Sequence, residues 1–357
     1  MTKATKVGII GAGTIAEWGH IPGYLDQPDV KLVAVCDIAG ERARRVAAEV
    51  GAERAFEDYQ ELLELEEIEA VSVCTANKFH APITIAALQA GKHVLCEKPP
   101  AMNTGQAQAM VDAARANDRV LMICLNNRFQ PQIQLLKQYI EGGELGTIYY
   151  AKTGILRRRG SAGGWFAQKE MSGGGALIDI GVHCLDWTWW LMGCPQPLQV
   201  YGQVYQEIGS YHLAYETAWT PADLKGKAKP PDWAGDTDEL AITTIRLAGG
   251  ATLRVEVSWA LNNEKTTQYT ELYGDRAGAR LSPLTIFGQE RGRLFDKTLQ
   301  VPEQEKVRTH SLAIRHFLDC VQSGRRPLTT PGQIVTLMRM LDAIYESAES
   351  GELAKLD

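Results

Sequence analysis

Two short stretches concentrate the residue types that can move protons and hold charge. In "HVLCEKPPAMN", residues 93–103, an apolar run ends in Cys96, and Glu97, Lys98 and Pro99 follow at once. In "SGGGALIDIGVHCLDW", residues 172–187, three glycines lead into an apolar segment carrying Asp179 and His183. A lysine at a strand end, partly desolvated, can donate a hydrogen bond to a hydroxyl or carbonyl oxygen and stabilise charge there. A histidine four residues beyond an aspartate on a helix shares a face with that carboxylate, and such a pair is suited to taking a hydroxyl proton. Each stretch also has a plainer reading. Position alone fits Lys98 equally well as a surface lysine paired with Glu97. Asp179-x-x-x-His183 is by itself more often a surface ion pair, or a core histidine satisfied by a carbonyl. No third ligand stands at a recognisable spacing from the pair, so no metal is expected.

The elements around these residues follow a regular rhythm. Apolar runs rich in Val and Ile at 6–10, 31–36, 70–74, 92–96 and 120–124 are separated by segments of helical periodicity. In "ERARRVAAEVG", Ala43, Val46, Ala47 and Val50 recur at helical spacing and Gly51 follows as a stop. Continuously apolar strands alternating with helices predict a doubly wound parallel sheet of the Rossmann type, covered on both faces. "KVGIIGAGTIAEWGH" sets Gly11-x-Gly13-x-x-Ala16 after the first strand, with Thr14 and Ile15 inside the turn. Gly11 permits the tight turn, Gly13 lets backbone approach a pyrophosphate, and small Ala16 allows close helix–strand packing. The second strand ends in Asp37, placed to accept hydrogen bonds from a ribose. A carboxylate there repels a 2′-phosphate, and Ile38 and Ala39 follow it, so NAD is favoured over NADP; Arg42 is near enough to weigh against this.

Ligands in such sheets bind beyond the carboxyl ends of the strands. Three loops leave strand ends there: "CTANKFHA", "CEKPPA" and "CLNNRF". They supply Thr75, Asn77, His80, Glu97, Lys98 and Asn126 as cofactor-binding candidates and Arg128 as a substrate-binding candidate. Pro99 fixes the turn that aims Lys98, and a cis Lys98–Pro99 bond suits such a turn.

The rhythm breaks near residue 125. From about 147 alternating strands appear, among them "TIYYAKTGILRR", "LAITTIRL" and "ATLRVEVSW", the last two joined through "AGG" as a hairpin. A helix over 176–192 interrupts them, with Trp187, Trp190 and Leu191 on one core face. The final helix starts at Thr330 with Pro331 in its first turn. The reading is a dinucleotide-binding domain over 1–126 and an α+β domain with a large, mostly antiparallel open sheet over 127–357, whose last helices pack back on the first. Residues 207–238 lack periodicity and read as a long excursion.

Several classes are excluded. A net charge of −6, with no basic face, argues against nucleic acid. The most apolar segment carries Asp179, His183 and Asp186, which a membrane span would exclude. The amino-terminal apolar stretch is too short and glycine-broken for a secretory signal. Cys36, Cys74, Cys96 and Cys124 each end an apolar run, as small buried hydrophobes, and no Cys-x-x-Cys pair occurs. A cytoplasmic, reducing setting follows.

The Gly11/Gly13/Ala16 turn, the Glu97-Lys98-Pro99 triplet and the glycine-led Asp179-x-x-x-His183 helix, in this order, resemble the glucose–fructose oxidoreductase / inositol dehydrogenase / MocA family. The resemblance covers residues 5 to about 350. It implies an NAD(P)-dependent oxidoreductase acting on a hydroxyl carbon of a sugar, inositol or related polyol. It also implies that Lys98 contacts substrate and nicotinamide ribose, that His183 is the acid/base, and that Asp179 contacts substrate or supports that histidine. Asn77 and His80 match the family's Thr-Pro-Asn-x-x-His loop, with Ala76 in place of Pro. A homodimer or homotetramer through the open sheet is the family expectation. Arg158, within the basic run 157–159, and Trp165 are substrate candidates, for a carboxylate or phosphate and for a sugar ring; solvent exposure and a seam-filling role fit them as well. Two alternatives share the fold: a glycosidase that retains NAD, and a catalytically silent NAD-binding regulator.

Overall fold

Val, Ile and Cys dominate the strands of the first sheet because a strand covered on both faces gains from apolar side chains on each side. The computed structural model describes residues 4–160, 163–208, 235–301 and 308–356. These divide into two compact units. One holds 4–126 with 308–338, the other the described residues of 127–301 with 339–356.

In the first unit six strands form a parallel sheet: β1 (Thr5–Ile10), β2 (Val30–Cys36), β3 (Arg54–Phe56), β4 (Ala70–Val73), β5 (His93–Cys96) and β6 (Leu121–Ile123). Their order is β3-β2-β1-β4-β5-β6. The strand order reverses between β1 and β4, so the Gly11 turn and the Thr75 loop leave the sheet on either side of the switch point, where such folds bind ligands. The five apolar runs are all strands, and β3 is an edge strand that the sequence pattern does not announce. Helix Gly40–Val50 buries Ala43, Val46 and Ala47 and ends at Gly51, whose φ of +69° suits a residue without Cβ. Helix Thr309–Ser323, late in the chain, belongs to this unit and buries Ala313, Ile314, Phe317 and Leu318.

The second unit is built on nine strands: β7 (Ile148–Leu156), β8 (Pro197–Tyr205), β9 (Leu240–Leu247), β10 (Thr252–Ser258), β11 (Thr267–Gly274), β12 (Ala277–Arg280), β13 (Thr285–Glu290), β14 (Arg293–Thr298) and β15 (Ala354–Lys355). Their order is β14-β13-β12-β11-β7-β10-β9-β8-β15. Among the described strands the pairs are antiparallel except β7 with β10. Period-two alternation turns Leu253, Val255 and Val257 inward, and they are 0–3% exposed. On that face Thr153 and Thr270 share a hydrogen bond of 2.8 Å, and Trp187 Nε1 donates to Thr270 Oγ1 at 3.0 Å. The opposite face is polar. Lys152, Arg254, Glu256, Tyr269 and Glu271 line a shallow concavity of about 570 Å³ there. Of the 207–238 excursion, 209–234 lie outside the described residues.

The last helix, Pro331–Ser350, opens on a reciprocal cap. Thr330 Oγ1 accepts the Gln333 N–H at 3.4 Å, and Gln333 Oε1 accepts the Thr330 N–H at 3.3 Å. Its stripe Ile334, Leu337, Met338, Leu341 and Ile344 is 0–1% exposed. Leu337→Ala is expected to lower unfolding stability by about 2–5 kcal/mol in urea titration. An unchanged midpoint would contradict its place in the core.

Candidate active site

The glycine turn is built by close approach. Gly11 has φ +91°, and a Cβ on it would stand 2.7 Å from the Cys74 carbonyl group, so only glycine fits. Gly13 is the reverse, with nothing within 4 Å of where a Cβ would lie. That space opens onto the amino end of the helix that follows. The helix departs from the expected regular form, because Ala16–His20 is wound as a π-turn, a feature frequent at functional sites. Asp37 is 7% exposed. Its oxygens accept the N–H groups of Ala12 at 2.8 Å and Ala39 at 2.9 Å, and Arg42 reaches it at 3.4 Å. Thr75 Oγ1 is buried with no hydrogen-bond partner among the described residues. An open glycine, an anchored acid at the end of β2 and an orphaned hydroxyl beside the turn fit a dinucleotide. Thr14 and Ile15 are half-buried in the same turn.

The loops after β4 and β5 are held by buried histidines. His80, expected to meet the cofactor, is 1% exposed, with Nδ1 at 2.7 Å from the Pro99 carbonyl and Nε2 at 3.0 Å from that of Thr75. Both ring nitrogens face backbone carbonyls, one from each loop, and the neutral ring donates to one of them. Asn77 is buried at 3%. The Lys98–Pro99 bond is cis, as the turn suggests. Lys98 itself is half-buried. Glu97 is 4% exposed, and its carboxylate accepts from His20 Nε2 at 2.8 Å and from the Lys98 backbone N–H at 3.1 Å. His310 Nε2 stands 3.7 Å away. Burial resists ionisation of Glu97, but the hydrogen bond from His20, with His310 close by, outweighs it and holds the carboxyl well below the usual range. Asn126, after β6, donates to Thr309 Oγ1 at 2.8 Å.

In the second unit Asp179 and His183 lie on a helix that starts as a π-turn, Leu177–Gly181, and continues as Val182–Leu191. Along 176–191 every residue is buried except these two. Trp187, Trp190 and Leu191 are core, as expected, and Trp189 is too. The helix start is capped from a distance. Asp238 accepts the N–H groups of Gly175 at 2.7 Å and Leu177 at 2.9 Å and the Tyr345 hydroxyl at 2.6 Å. Trp259, 2% exposed, donates from Nε1 to Asp179 Oδ2 at 2.9 Å. Asp238, Trp259, His20 and His310 were not among the sequence candidates, since each acts through a partner far along the chain.

One substrate candidate is corrected. Arg128 is 0% exposed and forms an ion pair with Asp186 at 2.6 Å, its guanidinium 5.4 Å from the Trp190 ring centroid. Facing the core, it cannot meet a substrate. Arg158 is exposed and donates to the Glu264 carbonyl at 3.2 Å, while Arg157 and Arg159 donate to the carbonyls of Gly160 and Leu261. The run pins neighbouring loops. Trp165 stacks on Phe166 with centroids 3.8 Å apart. All seven cysteines are free, and no helix among the described residues is long and apolar enough to cross a membrane.

The Rossmann-type sheet with its glycine turn and anchored Asp37 defines an NAD-binding oxidoreductase. The chain belongs to the glucose–fructose oxidoreductase / inositol dehydrogenase / MocA family. Residues 5–124 match the family model described as "Oxidoreductase family, NAD-binding Rossmann fold", and 133–280 match the "GFO/IDH/MocA C-terminal domain". Among its relatives is the D-glucoside 3-dehydrogenase of Escherichia coli K12, 35% identical over 98% of this chain and 97% of that protein. The levoglucosan dehydrogenase of Pseudarthrobacter phenanthrenivorans is 30% identical over 75% of this chain and 71% of its own. A solved structure of levoglucosan dehydrogenase in complex with NADH and L-sorbose shares the fold, with TM-score 0.86 at 24% identity, covering all of both chains.

Arg128→Met would leave Asp186 buried and unpaired. Burial already pushes that carboxyl up, and Arg128 counters it. The variant is expected to lose about 3–5 kcal/mol in urea unfolding. A raised sugar KM at unchanged stability would restore the substrate reading.

Proposed function

We propose that the protein oxidises a ring hydroxyl of a sugar with NAD, and that C3 of a glucoside is the position attacked. The observation that carries this reading is similarity along the whole chain to a D-glucoside 3-dehydrogenase; Lys98, Asp179 and His183 are the residues that the resemblance to the family proposes for the chemistry. Other named relatives act on levoglucosan and on inositols, so related cyclic polyols are the next substrates to try. The NAD-retaining glycosidase and the silent regulator gain no support, because the characterised relatives are named as dehydrogenases.

Cofactor binding is assigned to residues 1–126 and substrate binding to 127–357. The bound nicotinamide supplies a hydride acceptor. His183 takes the hydroxyl proton as the C–H bond is broken, and Lys98 stabilises charge building on that oxygen. Asp179 orients the sugar or the histidine, and Trp259 keeps its carboxylate in place. The backbone amides of the Gly11–Ala16 turn receive the pyrophosphate, and Asp37 the adenosine ribose hydroxyls. Asp37 disfavours a 2′-phosphate, which supports NAD over NADP. Seven free thiols suit a reducing compartment, and the cytoplasm is the proposed location.

The test is NADH formation with methyl glucosides, levoglucosan and inositols. His183→Ala and Lys98→Met should bind NADH like the wild type by fluorescence titration while kcat falls about 100-fold or more. Near-native turnover in both variants would remove these roles. The protein is also proposed to be a homodimer or homotetramer through the outer face of the nine-stranded sheet, where Tyr201, 44% exposed, and the Lys152–Glu271 pair line one concavity. Light scattering after size exclusion should return a dimer or tetramer mass; a monomer at micromolar concentration would contradict it.

A further inference from the structure

The carboxylate of Glu97 sits inside the apolar layer of the first unit, and its surroundings are more elaborate than a strand end requires. His20, Glu97, Cys124 and His310 are all buried, with one ligand-type atom from each lying within 4.8 Å of the others. Such a set invites a metal ion, but the distances oppose one. Zinc holding nitrogen and oxygen at about 2.0–2.2 Å in a tetrahedron keeps them roughly 3.4 Å apart. His20 Nε2 and Glu97 Oε1 are 2.8 Å apart, which is hydrogen-bond distance. Burial, with the Glu97 carboxylate beside it, pushes the Cys124 thiol well up, so it stays protonated.

The protons can instead be assigned along a row. Tyr24 Oη lies 2.8 Å from Ser72 Oγ, and Ser72 Oγ lies 3.0 Å from His20 Nδ1. With Tyr24 donating to Ser72 and Ser72 donating to Nδ1, the neutral imidazole keeps its proton on Nε2 and gives it to Glu97. Each hydroxyl then donates once, and both ring nitrogens are satisfied. Burial pushes the His20 pKa down against the pull of Glu97, which agrees with the neutral ring. The second oxygen of Glu97 accepts the backbone N–H of Lys98 at 3.1 Å. The row therefore ends on the main chain of Lys98, and His80 holds the same loop one residue further on through the Pro99 carbonyl at 2.7 Å.

We propose that His20 is a positioning residue for the redox reaction, acting through Glu97 to set the place of Lys98. Ser72 and Tyr24 select the ring tautomer that lets it do so, as outer hydrogen bonds orient histidines elsewhere. The proposal rests on the role given to Lys98 above. A misplaced lysine weakens a transition-state contact more than it weakens ground-state binding.

The test compares His20→Leu, His20→Gln and Ser72→Ala in the full-length protein. His20→Leu is expected to lower kcat about tenfold or more, with NADH affinity and sugar KM within about threefold of wild type. His20→Gln, whose amide can donate to Glu97 and accept from Ser72, should recover most of kcat. Ser72→Ala should show a smaller loss in kcat with an unchanged melting temperature, so the test survives if His20→Leu does not fold. A second readout needs no substrate: the rate of Lys98 acetylation by acetic anhydride, followed by peptide mass spectrometry against the other lysines. It should change at least about threefold in His20→Leu or Ser72→Ala. If the wild type oxidises no sugar, the functional reading fails while this labelling still decides the positioning role. Unchanged labelling overturns the proposal, as does kcat within twofold of wild type in both His20→Leu and Ser72→Ala. So does a parallel fall of kcat, NADH affinity and melting temperature that glutamine does not rescue. Stoichiometric zinc retained by the wild type and lost in His20→Leu would replace it with a metal site.

Discussion

A strand covered on both faces has no wall on which to keep a polar side chain, so polar groups collect at its carboxyl end. This constraint organises the first unit. β1 runs apolar to Ile10 and then turns at Gly11; β4 runs to Val73 before Thr75; β5 runs to Cys96 before Glu97 and Lys98. Chemistry gathers where the sheet stops. The difficulty falls on Glu97, the one of these groups set furthest back into the apolar layer. A buried carboxylate is tolerated only when donors surround it. They come from the helix after β1, from the late helix Thr309–Ser323 and from its own neighbour's backbone.

The second unit solves the opposite problem. Its sheet has one covered face, and the helix on that face must be apolar nearly all round to fill the space. The Asp238 cap shows how the helix start is kept in order: the donors of the first turn are met by a carboxylate at the edge of β9 and not by a residue of the helix itself. Trp259, at the end of β10, then fixes Asp179. Both supports flank strands, Asp238 just before β9 and Trp259 just after β10. Both candidate helices also open with a π-turn, which changes the direction of the side chains in the first turn relative to those that follow.

How much of this could be read from the residues depended on range. The parallel sheet was legible because its strands are uninterrupted apolar runs, and the glycine turn because its requirements are local. The cap at Thr330 was legible for the same reason. β3 was not, since Arg54–Phe56 is three residues long and shows no pattern. Strand β14 is exposed along its whole length, so no buried face marks it in the sequence. His20 looked like an ordinary residue of a helix because its partner Glu97 is 77 positions away. Arg128 was misread for a related reason: a polar residue in a strand-end loop looks the same in sequence whether it faces a ligand or ties down the scaffold. Asp186 was seen only as a charge that a membrane would reject, and the chain uses it to neutralise Arg128.

The helix of residues 176–191, buried at every position except Asp179 and His183, has a consequence for how such a chain can change. Changing any other position on it alters volume in a close-packed interior, which costs stability before it can touch a ligand. The helix is therefore among the parts of this unit least free to change. Change is tolerated more readily in exposed loops, where no close-packed volume is altered.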